Sequence, residues 1–141
     1  MKKLLICLSL LLFLVACSNE ETTNSNKEPF ITKEFVEETA KVGLSYDKVR
    51  EIFGKETLSD VVDHTEIWLY DSAKHNELEY NPSLEVIAGE IKSGKLDYQL
   101  YINFIDKKAF MYSYFYKGDD GKVWQYAVTP DAEPFSGPVS N

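Results

Sequence analysis

Apolar residues change their spacing several times along this chain, and each change marks an element. An unbroken apolar run fills Leu4–Leu8 and, after Ser9, Leu10–Val15. Residues 18–28 then read Ser-Asn-Glu-Glu-Thr-Thr-Asn-Ser-Asn-Lys-Glu, with nothing that can join a core. Such a segment predicts a flexible linker. From Thr32 the spacing becomes helical: Phe35, Thr39 and Val42 fall on one face with Val36 beside them, Thr32 is placed to cap and Glu34 lies in the first turn. Gly43 stops that helix, and Leu44-Ser45-Tyr46-Asp47-Lys48-Val49-Arg50-Glu51-Ile52-Phe53-Gly54 starts another. Ser45 can accept an orphan N–H of the first turn, and Asp47 suits the positive end of the helix dipole. Leu44 and Val49 have the spacing of a hydrophobic staple. Val49, Ile52 and Phe53 form the apolar face, and Gly54 is expected to end the helix in the left-handed region.

Beyond Gly54 the period falls to two. Glu66–Tyr70 predicts a strand. Leu96–Ile105 alternates, with Tyr98, Leu100, Ile102 and Phe104 on one face and Gln99, Tyr101 and Asn103 on the other. Asp106-Lys107-Lys108 turns the chain into a third strand, Phe110–Tyr116, which is apolar or aromatic on both faces. Lys117–Lys122 is a second turn, leading to a strand over Val123–Val128. Pro130, Pro134, Gly137 and Pro138 predict a loose tail over 131–141. Residues 72–95 are a long excursion with turn signals at Asn81-Pro82 and Ser93-Gly94; Leu84–Ile91 within it reads as a short helix or a strand. Long excursions of this kind are often functional.

The first apolar run changes the picture of where the domain works. It follows Lys2-Lys3, is shorter than the ~20 residues a membrane span needs, and has the layout of a secretory signal. It ends in Leu14-Val15-Ala16-Cys17, which resembles the lipobox of bacterial lipoprotein precursors. The resemblance implies cleavage after Ala16, a diacylglyceryl thioether on Cys17 and acylation (palmitate-type) of the new amine. The chain then divides into a signal, 1–16; a lipidated Cys17 with its tether, 17–28; a domain, 29–130; and the tail, 131–141. The expected location is the extracytoplasmic face of a cell membrane. The Lys- and Asn-rich wording points to a Gram-positive cell.

Charge and cysteine content narrow the partners. Of 15 basic residues Lys2 and Lys3 leave with the signal, so 13 face 23 acidic ones, a net charge of −10. That excludes a basic nucleic-acid face and disfavours flat adhesion to an anionic bilayer. The expected contact with the membrane is the lipid on Cys17 alone. Cys7 also leaves, so no disulfide can form within the processed chain, and stability must come from a core rich in aromatic residues.

Gly43-Leu44-Ser45, Val49, Phe53-Gly54 and Trp68-Tyr70, followed by a meander of strands, resemble the SmpA/OmlA (BamE-like) lipoprotein domain over roughly residues 30–130. The resemblance implies an α+β fold: two N-terminal helices packed on one face of a three- to four-stranded antiparallel β-meander, a layout shared with β-lactamase-inhibitor proteins. It also implies a binding or scaffold protein.

Little in the sequence suggests catalysis. No thiol nucleophile, Gly-x-Ser-x-Gly or Gly-rich phosphate loop is present. Asp60, Asp63 and His64 lack a second ligand cluster and sit in a turn-like stretch. Gly118-Asp119-Asp120-Gly121 lacks the further ligands of a calcium loop. No enzyme, metal or cofactor is expected. The positive signal is the aromatic excess. A sheet covered on one face leaves the other to solvent. Depending on register that face shows Tyr101 with Trp68 and Tyr70 nearby, or Tyr112, Tyr114 and Tyr116. Trp68, Tyr70, Tyr101, Tyr112 and Tyr114 are therefore the expected contacts for an envelope protein, unless the rings complete the core. The expected function is a lipid-anchored protein-binding or scaffold module, with a small-ligand carrier or enzyme-inhibitor lipoprotein as the alternative.

Overall fold

The computed structural model describes residues 29–139. The signal, Cys17 and the tether lie outside them. Three short helices and six strands follow in the order α1 (Lys33–Thr39), α2 (Tyr46–Phe53), β1 (Leu58–Val62), β2 (Thr65–Asp71), α3 (Ala88–Ser93), β3 (Tyr98–Ile105), β4 (Lys108–Lys117), β5 (Val123–Val128) and β6 (Phe135–Pro138). All six strands join one sheet in sequence order, each antiparallel to the next.

This corrects the expected α+β layout of two helices on a three- to four-stranded meander. The domain is a six-stranded antiparallel sheet with few short helices, 37% strand against 19% helix. Two strands were missed. β1 and β2 form a hairpin whose turn, Asp63-His64, has both residues at positive φ, 48° and 66°, the geometry of a two-residue type I′ connection. β6 occupies the segment read as a loose tail and pairs Phe135 with Ala127 and Pro138 with Trp124. Pro138 is tolerated there because β6 is an edge strand.

Local signals at the helices explain their positions. Thr32 caps α1 through Phe35 N, and Ser45 caps α2 through Lys48 N. The link between them is pinned to β4: Gly43 N–H donates to Ala109 O at 2.6 Å and Ala109 N–H to Leu44 O at 2.8 Å. Gly43 has φ 91°, a conformation that favours glycine. Helix α1 ends at Thr39, so Val42 falls outside it and is 45% exposed instead of joining the helix face. Gly54 ends α2 at φ 82°, ψ −160°, not in the left-handed helical region.

Strand alternation divides the side chains into two layers. Trp68, Tyr70, Tyr98, Leu100, Ile102, Phe104, Tyr112, Tyr114 and Tyr126 pack beneath α1 and α2 around Ile31, Val36, Val49 and Phe53. Leu69, Tyr101, Phe115 and Val123 face the other way. The ambiguous strand β4 is settled by its pairing: Tyr112 sits opposite Ile102 and Tyr114 opposite Leu100. A register shift near Asn103/Phe104 leaves Phe110 without a partner, a β-bulge.

The second sheet face is covered in part. Residues 72–97 fold back over it as a strap. Leu78, Tyr80, Leu84, Ile87, Ala88, Ile91 and Leu96 cover Leu69, Tyr101, Phe115 and Val123. Gly94 closes α3 in the left-handed region, with Leu96 N–H bonded to Glu90 O. Polar ties fix the strap: Tyr80 OH bonds Asp71, Ile87 N–H donates to Gln99 Oε1 at 2.9 Å, Tyr101 OH to Glu85 O at 2.8 Å, and Asp97 N–H to Ser72 Oγ at 2.7 Å.

Candidate functional site

The aromatic residues expected to meet a partner are all buried. Trp68, Tyr70, Tyr112 and Tyr114 lie under the helices, and Tyr101 lies under the strap, none more than 7% exposed. Their polar atoms are also spent. Tyr112 OH donates to Lys41 O, Tyr114 OH to Ile31 O, Tyr70 OH to Gly54 O and Trp68 Nε1 to Glu66. These five rings hold the two layers together and present no docking face. Burial pushes the Tyr112 hydroxyl up to about 12 and those of Tyr70, Tyr101 and Tyr114 higher still, so none ionises near neutrality.

A charged cluster sits where α2 meets β1 and β2. The Arg50 guanidinium lies 4.1 Å over the Trp68 ring and donates to both Glu56 oxygens, at 3.0 and 2.6 Å. Glu66 accepts from Tyr46, from Trp68 Nε1 at 2.6 Å and from Ser59 at 3.3 Å. Burial raises the Glu66 pKa, but these hydrogen bonds outweigh it and hold the carboxyl below its ordinary range. Tyr46 is pushed up to about 12 by burial and by Glu66. The cluster ties α2 to the hairpin, and its acids are charged partners of fixed donors, which suits a structural clamp.

The Arg50 guanidinium also lowers the pKa of Glu56. A carboxyl with a lowered folded pKa stabilises the fold above its unfolded value of about 4.3 and loses that contribution as pH falls through the folded value. Glu56→Gln is therefore expected to lower the urea midpoint at neutral pH, with the gap from the parent closing on acidification below about pH 4. A gap that stays constant into that range would show that the carboxylate charge is not what matters.

Among the described residues, no group of three or more His, Cys, Asp or Glu is placed to hold a metal ion. Asp63 and His64 form the β1–β2 turn, with Asp60 on the edge strand β1.

The strap leaves part of the second sheet face open, where Ile67, Asn103 and Met111 are half-buried. Ile67, Asn103, Met111 and Ser113 form the floor of an open trough of about 200 Å³, with Leu84 and Val86 of the strap along one side. The same face continues through Val62, Ile105 and Phe135, which are 45%, 51% and 59% exposed. The Phe135 ring lies across Gly137, where a Cβ would come within 2.6 Å of it. This surface was not foreseen. Its signal was the apolar residues on the face opposite the tyrosines, and their exposure depends on how far the strap extends. No family model matches this chain, and neither a curated protein nor a solved structure matches it.

Proposed function

We propose that this chain is a lipid-anchored, extracytoplasmic binding module of the cell envelope, and that it engages a partner protein through the open part of its second sheet face. The observation that carries this is that exposed Val62, Ile105 and Phe135 all lie on the same sheet face as the Ile67–Met111 trough. Large apolar side chains left exposed together on one face of a small domain are a basis for proposing an interaction site.

Its placement supports the reading. Pro29 enters the domain against Tyr70, Asp71 and Tyr98, at the opposite ends of β2 and β3 from Thr65 and Ile105. Seven residues of strand, at about 3.3 Å each, separate the two ends by roughly 23 Å. Residues 18–28, read from their composition as a linker, would add a root-mean-square reach of roughly 18 Å. A lipid on Cys17 would thus hold the domain by one end and leave the apolar end free for a neighbour. Small-ligand sites are usually clefts or cavities of about 300–1,000 Å³ that bury most of the ligand, whereas this trough is open and holds about 200 Å³. The SmpA/OmlA kinship belongs to the same proposal through the helix pair and its Gly43-Leu44-Ser45 entry; the strap, β1 and β6 go beyond the layout that kinship implies.

A photo-crosslinking side chain placed at Ile105 in the membrane-anchored protein tests the proposal. A discrete adduct with one envelope protein is expected, lost when Phe135→Glu is added and absent when the probe is moved to Glu51 on α2. Adducts of equal yield from both probe sites would remove the surface from consideration.

A further inference from the structure

A second trough, of about 660 Å³, opens on the helix-bearing side where β4 turns into β5. Four rings line it, Phe30, Tyr114, Tyr116 and Trp124, together with the carboxylates of Asp97, Asp119 and Asp120. The rings are held in place. Trp124 lies across Gly118, where a Cβ would come within 2.5 Å of the indole, and its Nε1 donates to Asp120 Oδ1 at 3.0 Å. Tyr116 stacks on Tyr114 with centroids 5.6 Å apart, and Phe30 stands edge-on to Tyr98 at 5.7 Å. Rings fixed before a ligand arrives lose little freedom on binding it.

Charge selects the ligand. Glu34 brings the carboxylates in the trough to four, against Lys33 and Lys117. The Lys33 ammonium is already engaged by Glu37 and lies 5.3 Å from the Tyr126 ring centroid. Because no three acidic groups among the described residues converge as metal ligands do, a compact ion gains little here. A long organic cation can lie against a ring and reach a carboxylate together, combining cation–π attraction with a charge-assisted hydrogen bond. The fold uses the same pairing internally, with Arg50 over Trp68 and held by Glu56.

We infer that this trough binds the ammonium or guanidinium side chains of an extended basic peptide. It lies across the sheet from the open apolar part, so the inference does not depend on that surface. Trp68 is buried, which leaves Trp124 as the tryptophan whose emission a surface ligand can change. Titrating the full chain with triarginine should give a saturable change in emission, and triglutamate should give none. Asp119→Asn should weaken triarginine about fivefold, the scale of one exposed charge pair. By calorimetry Trp124→Ala should lose saturable binding, Trp124→Phe should keep it, and Glu51→Gln, on the outer side of α2, should leave the affinity unchanged. Circular dichroism establishes that each variant is folded. Unchanged affinity in folded Trp124→Ala, equal weakening by Glu51→Gln, or no saturation with triarginine would each overturn the inference.

Discussion

Changing Trp68 to alanine is expected to cost about 3–5 kcal/mol of folding stability, the usual range for emptying a buried large aromatic site. The ring is 1% exposed, with Phe104 at 4.5 Å and Tyr46 at 4.9 Å between centroids and the Arg50 guanidinium stacked on its face. Its removal opens a cavity between α2 and the sheet and takes one donor from Glu66, which keeps Tyr46 and Ser59. A small domain holds about 5–15 kcal/mol in total, so the variant should melt far below the parent or fail to fold. Phe135→Ala, at a ring 59% exposed on the edge strand, should fall within about 0.5 kcal/mol of the parent. Denaturant unfolding followed by circular dichroism gives both values. A folded Trp68→Ala protein within about 1 kcal/mol of the parent would mean that this ring is not a core element. The contrast also separates the two residues: Trp68 acts through stability, and any effect of Phe135→Ala on binding cannot come from lost stability.

That contrast shows where sequence reasoning stopped. Alternation in β3 placed Tyr98, Leu100, Ile102 and Phe104 together, and the caps Thr32 and Ser45 were legible because capping is local chemistry. Which sheet face is covered is not local. Tyr112 OH reaches Lys41 O across 71 residues, and Tyr114 OH reaches Ile31 O across 83. No periodicity over a few residues contains those contacts, so buried tyrosines looked the same as displayed ones. β1 was missed because its turn is Asp63-His64, without the Asn-Gly or Asp-Gly pair that usually marks a type I′ hairpin. Its edge position also lets Ser59 and Asp60 stand where a central strand would be apolar. β6, Phe-Ser-Gly-Pro, has no β-branched residue and relies on pairing with β5 alone. The strap did carry a signal. Leu84, Ile87, Ala88 and Ile91 fall at helical spacing and all pack on the second layer. What the sequence could not supply was the target of that face, which is Tyr101 and Phe115 on strands that come later in the chain.

The other large effect concerns the anchor. Cys17→Ser is expected to abolish acylation, because Cys17 is the sulfur at the lipobox position and the other cysteine, Cys7, lies inside the apolar run of the proposed signal. Each buried CH2 contributes about 0.8 kcal/mol, and stable anchoring takes two chains, the number a diacylglyceryl group carries. Intact mass should show a lipidated N-terminus in the parent and none in the variant, and labelled palmitate should enter the parent only. The lipobox reading would be wrong if Cys17→Ser still took up label or the parent carried no lipid. The described domain begins at Pro29, well beyond Cys17, so its unfolding midpoint should not change. The consequence for binding is then one of local concentration, since a tethered module meets a membrane partner at an effective concentration set by its linker. The adduct formed from Ile105 should therefore fall sharply in Cys17→Ser, although the open part of the sheet face is intact. An unchanged yield would place the partner away from the membrane and leave the lipid with a role other than bringing the two together.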